Sequence, residues 1–186
     1  MTSTAKKIFA GTVIGLLALV HNGTAMAEWQ PDPEDRRQVR AAAAIEKIRA
    51  AQPATEWYFE EAHGYAVLPS ITRAGLGFGG AYGRGFVIEQ DALIGTTGYW
   101  QFTSGLQGGI KNFVMVIFFK DAEALAAFKE RKLQFMGQAG IAFANMGADA
   151  TPGYSSGVAV FTLTNLGLMA EFTVSGAKFT YSELER

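Results

Sequence analysis

The spacing of apolar residues changes character along the chain. Ile8–Val20 is an unbroken uncharged run. From Pro33 to Gln52 small and aliphatic residues recur at helical spacing among charges, and after Gly64 the apolar residues come in strand-length runs separated by glycine. The first mature helix is expected over about 33–52, with Asp32 as N-cap, Pro33 at the first helical position, Glu34 and Asp35 in the first turn, and Pro53 as its stop. A shorter helix fits 55–63, with Thr55 as cap and Gly64 past its end. Strands are expected at Tyr65–Ile71, Phe86–Ile88, Tyr99–Phe102 and Phe113–Phe119, the last apolar throughout and so buried on both faces. Asp121 caps a helix from Ala122 to Arg131, extending as far as Met136. Further strands are expected at Gly140–Asn145, Val158–Leu163, Thr173–Val174 and Lys178–Tyr181. Helices, then strands, then one helix, then strands is an α+β order with a largely antiparallel sheet, not a series of βαβ units.

The N-terminal run has a different meaning. Lys6 and Lys7 precede 13 uncharged residues, and Ala25-Met26-Ala27 has the small-x-small form of a cleavage site. A spanning helix needs about 20 apolar residues. Residues 1–27 are therefore expected to be a secretory signal peptide, and 28–186 a single domain with its sheet region at about 65–181. Removal of the leader takes 16 basic residues to 14 against 17 acidic ones, a mature formal charge of −3. That balance argues against a nucleic-acid partner. The absence of cysteine excludes a disulfide scaffold, thiolate zinc sites and a cysteine nucleophile.

Six glycines fall within Gly75–Gly85, among them Gly75-x-Gly77-x-x-Gly80. A dinucleotide fingerprint needs a helix opening directly after it, so that backbone N–H groups meet the pyrophosphate. Here Gly83, Gly85 and a strand follow, so no cofactor is assigned. Glycine in a strand instead marks close backbone approach or a bulge. His63 is the one histidine after residue 27, at an expected helix end. Glu60 shares its helix face, yet no third ligand is suggested and no metal site is assigned. Ser70, Ser104, Ser155 and Ser156 lack a nucleophile-elbow context. No catalytic residue is assigned.

The first mature helix is more informative. At about 100° per residue, Arg36, Arg40 and Lys47 fall within a stripe of about 40°, with Arg37 about 60° further round. Ala41, Ala42 and Ile45 lie on a neighbouring arc. Residue physics alone makes this a solvated charged face on a helix packed by small residues. A basic amphipathic helix can also lie on an anionic membrane.

Several segments together resemble the SYLF lipid-binding domain family, also described as the yeast-type actin-binding domain. They are Ala62–Pro69, Arg73–Gly85, Gly98-Tyr99-Trp100, Gly105–Gly109, Gly167-Leu168-Met169 and Gly176–Thr180. Their order and spacing are similar to the bacterial exported branch, over roughly Ile45–Tyr181. His63 and Arg73 stand where lysine is usual. The resemblance implies a curved, mostly antiparallel sheet, sandwich- or barrel-like, with helices against it. From eukaryotic relatives it implies binding of phosphoinositide membranes, with a basic N-terminal helix involved, and actin binding in some members. Actin and phosphoinositide transfer poorly to a periplasm; generic anionic phospholipid transfers better.

The expectation is an exported, non-enzymatic, periplasmic or extracellular domain that contacts an anionic phospholipid membrane surface through Arg36, Arg37, Arg40 and Lys47. The alternatives are a structural or envelope-stress protein with a protein partner, and a carrier with an apolar pocket inside the sheet. An outer-membrane barrel is disfavoured, because Phe113–Phe119 does not alternate and helices interrupt the strands.

Overall fold

The computed structural model describes residues 28–130, 153–154, 157–164, 167–169 and 177–184. The expected leader, residues 131–136 of the expected third helix, and the expected strands at 140–145 and 173–174 lie outside the described residues.

Helix α1 spans Arg36–Ala51. It begins three residues after Pro33, and its N-cap is Asp35, not Asp32. The Asp35 carboxylate accepts from the Arg37 backbone N–H at 2.8 Å and so satisfies one of the helix's free donors. Asp32 instead accepts from the Glu34 N–H at 2.9 Å and shapes the turn before the helix. Pro53–Thr55 forms a 3₁₀ turn, and α2 follows over Glu56–Glu61. Thr55 holds the N-cap position of α2 but makes no side-chain capping bond; its hydroxyl donates to the Gln52 carbonyl at 2.7 Å. Gly64 is not a helix stop but the first residue of β1.

Two strands dominate. β1 runs over Gly64–Glu89 and β2 over Ala92–Phe119, 26 and 28 residues joined by Gln90 and Asp91. Both connecting residues sit at positive φ, as the favoured two-residue hairpin turn requires. Each long strand merges two segments expected to be separate. A register shift between Leu68 and Ile71 falls at Pro69, which has no N–H to donate. The hairpin then bends at its glycine-rich middle. There a Cβ on Gly75 would stand 2.6 Å from the Gly79 Cα.

The bend divides the hairpin into two arms. In one, residues 64–76 of β1 pair with 108–119 of β2. β3 (Val158–Thr164) lies along this arm, and β4 (Gly167–Met169) pairs with β3. In the other, residues 78–89 pair with 92–104, and β5 (Ala177–Glu183) lies along β2. All pairings among the described residues are antiparallel. The two arms of β1 meet along a seam of glycines. A Cβ on Gly64 would lie 2.6 Å from the Ile88 carbonyl oxygen, and one on Gly83 2.6 Å from the Ile71 side chain. One on Gly85 would collide with the Val67 carbonyl oxygen.

The fold is thus α+β, an open antiparallel sheet curved around an inner core. Leu68 and Ile71 from one arm meet Ala81, Val87, Tyr99 and Phe179 from the other. Helix α3 (Ala122–Lys129), capped by Asp121, adds Leu125 and Phe128. Outside the sheet, Ala41, Ala44, Ile45 and Ile48 of α1 and Tyr58 of α2 pack on Tyr65, Val67, Phe86 and Phe118. The run Phe113–Phe119 serves both layers. Phe113, Met115, Ile117 and Phe119 face inward, and Val116 and Phe118 face the helices.

One ionic cluster ties the start of the sheet to α3. His63 Nε2 lies 2.9 Å from Glu89 Oε1, and Lys129 Nζ lies 3.1 Å from Glu89 Oε2. Burial opposes ionisation of Glu89, but the hydrogen bonds from Lys129 and His63 outweigh it and hold its carboxyl below the usual range. The unfolded chain therefore takes up its proton first as pH falls. The stabilisation is fully present above an ordinary glutamate pKa of 4.5 and is lost as pH drops through the lower native value. Glu89→Gln should cost about 1 kcal/mol at neutral pH. The difference from wild type should shrink below pH ~4 in denaturant melts. A constant difference down to pH ~2 would show that the carboxylate's charge is not what stabilises.

Candidate functional site: a basic groove beside the first helix

Packing through alanines brings α1 close to the sheet and leaves its charged side chains at the edge of the contact. A groove of about 910 Å³ opens there, on the outer face of the sheet. Its helix wall is Arg37, Arg40, Ala43, Ala44 and Lys47. Its opposite side carries Arg84 on β1 and hydroxyls of Ser70, Thr72, Thr96, Thr180 and Ser182. Among the described residues, four cations and no carboxylate line it.

Strand register explains the floor. Arg84 pairs with Gly98, which pairs with Thr180; Phe86 pairs with Thr96, which pairs with Ser182. Paired residues share a face, so these side chains stand in rows across three strands. Gly98 has no side chain in the middle of its row, and that gap is part of the groove. A Cβ there would lie 2.6 Å from Thr180 Oγ1.

The four expected contact residues separate. Arg37, Arg40 and Lys47 line the groove, while Arg36 is exposed and outside it. Arg37 is partly neutralised by Asp35 at 3.0 Å. The hydrogen bond from Arg37 holds the Asp35 carboxyl below its ordinary pKa. Among the described residues no acid lies within ion-pairing distance of Arg36, Arg40, Lys47 or Arg84. Arg49 is different: it bridges Glu28, Glu46 and Glu56 and stacks 4.5 Å from the Phe59 ring. It clamps the helix in place and is not available to a ligand.

Arg84 is the groove cation that helical periodicity could not supply, because it comes from the glycine tract. The alternation Tyr82-x-Arg84-x-Phe86 places it on the outer face, and pairing with Gly98 leaves it uncrowded. Tyr58 contributes no chemistry. It is fully buried, and burial pushes its phenol up to about 12, so it stays neutral as a core ring.

No protein-family model matches the chain. It is distantly related to a protein of Aeromonas veronii called Beta cell expansion factor A, with 27% identity over 139 residues. The match covers 73% of this chain and 52% of that protein, so the chain spans about half the length of its relative.

Proposed function

We propose that this chain is an exported, non-enzymatic SYLF-type domain that binds anionic phospholipid headgroups along the groove. The observation that carries the reading is the groove's charge: Arg37, Arg40, Lys47 and Arg84 line it, with no carboxylate among the described lining residues. The Ser70, Thr96, Thr180 and Ser182 hydroxyls can donate to phosphate oxygens, whereas the Thr72 hydroxyl already donates to Asn112 Oδ1 at 2.8 Å. Each cation near an anionic surface contributes roughly 1 kcal/mol, so the groove can attract such a surface although the chain's net charge is negative.

The mature protein should cosediment with vesicles containing anionic phosphatidylglycerol and not with pure phosphatidylcholine vesicles. Most of the binding should disappear as salt rises from 0.05 M toward 0.5 M, because the screening length contracts to well under about 8 Å. Equal binding to both vesicle types, or to neither, would remove the headgroup reading. A protein-partner role would then take its place.

A further inference from the structure

The bend of the hairpin carries apolar side chains that nothing among the described residues covers. Phe78 is 83% exposed, and Phe102 and Ile110 are each 75% exposed. Tyr82 is more than half exposed. Gly80 pairs with Phe102 and Tyr82 pairs with Trp100. Alternate residues of a strand share a face, as do directly paired ones. Phe78, Tyr82, Trp100 and Phe102 therefore form one stripe, on the same outer face as Arg84. Within it, the Trp100 and Phe102 rings meet edge to face at 5.1 Å. Cations border it: Arg84 lies 5.8 Å from the Tyr82 ring and Lys178 5.2 Å from the Trp100 ring.

This gradient fits one kind of occupant. Phenylalanine side chains suit the acyl boundary of a bilayer, and tyrosine and tryptophan the headgroup level. Arginine and lysine reach the phosphates. Tyr82 and Trp100 also line the basic groove, so an anionic bilayer meets complementary charge and apolar surface together. We infer that the glycine bend is a membrane-insertion element. Phe78 and Phe102 enter the upper acyl region of an anionic bilayer, with Tyr82 and Trp100 at the interface and Arg84 and Lys178 holding headgroups. The inference rests on the lipid reading above and adds a penetrating contact to it.

Phe78→Ser with Phe102→Ser tests it, using the mature protein and vesicles of mixed phosphatidylglycerol and phosphatidylcholine. Both residues are exposed, so melting should be unchanged. Vesicle partitioning at low salt should fall about a hundredfold, as expected for losing two apolar insertions. The wild type should keep a salt-resistant fraction at 1 M salt that the double variant lacks. Phe78→Leu with Phe102→Leu should retain binding. Phe78→Trp supplies a readout that tolerates no loss of fold. Its additional emission should shift to the blue on vesicle addition and be quenched by lipids brominated in the upper acyl chain.

Wild-type binding to the vesicles with an unaltered serine double variant would overturn insertion and leave the headgroup reading standing. So would a Phe78→Trp emission that vesicles do not change. A wild-type dimer that the serine variant converts to monomer, with vesicle binding intact, would assign the stripe to self-association. Failure of the wild type itself to bind would instead defeat the headgroup reading.

Discussion

Gly85→Val is expected to destabilise the protein by about 3 kcal/mol or more, at the upper end of overpacking in a closed core. The reason lies in the seam. A Cβ on Gly85 collides with the Val67 carbonyl oxygen and would lie 2.9 Å from Leu68 Cγ. The first obstacle is backbone, which cannot rotate away as a side-chain tip can. Relief requires the two arms of β1 to separate, and the inner core spans both arms. For a chain of this length the cost corresponds to a fall of roughly 10 °C in melting temperature. Gly153→Ala is the control, because no atom lies within 4 Å of the added Cβ. Gly80→Ala should be mild, since its nearest neighbour, the Gln101 carbonyl oxygen, is 3.3 Å away. Normal melting of Gly85→Val would mean that the arms are not held together at this seam.

Reversing Arg40, Lys47 and Arg84 to glutamate should reduce affinity for phosphatidylglycerol vesicles by about a hundredfold. Losing three attractions of roughly 1 kcal/mol each removes about 3 kcal/mol before repulsion is counted. All three residues are exposed and line the groove. The fold should persist, because exposed substitutions usually shift stability by no more than about 0.5 kcal/mol. Arg36→Glu alone should cost no more than about tenfold, since Arg36 lies on the same helix but outside the groove. If the triple variant melts normally and binds as tightly as wild type, the groove is only a solvated face. If Arg36→Glu has the larger effect, the helix meets lipid through its N-terminal end rather than along the groove.

Much of the fold could be read from residue patterns, and the omissions have physical causes. Phe113–Phe119 was legible because a seven-residue apolar run needs two covered faces, and the structure covers both. Asp121 was legible as a cap because nothing nearby competes with it. The start of α1 was displaced because Asp32 and Asp35 can each cap, and only tertiary geometry selects Asp35. The continuity of β1 was hidden because six glycines in eleven residues have low strand propensity. Pairing with β2 and the seam contacts override that preference. The turn at Gln90-Asp91 gave no local signal, since positive φ is ordinarily marked by glycine or asparagine.

The groove was half legible. Helical periodicity placed Arg36, Arg40 and Lys47 on one stripe with Arg37 beside it, but it could not show that the groove takes in Arg37 and leaves Arg36 outside. Nor could it find Arg84, whose contribution depends on Gly98 being its neighbour across the ladder. Such a pairing is information about strand register, which no local pattern carries.

The Gln90-Asp91 turn also bears on how the chain reaches its native state. Pairs next to it, such as Glu89 with Ala92, close a very short loop. Pairs at the far end, such as Gly64 with Phe119, close one of more than fifty residues. Loop closure becomes costlier with length, so the hairpin can zip from the turn outward. The turn-side arm would then form early, and the seam only after the distal arm has folded back over it. On this hypothesis the penalty of Gly85→Val falls mainly on the rate of unfolding and scarcely on the rate of folding. A chevron in which the folding limb carries the loss would place the seam in the nucleus instead.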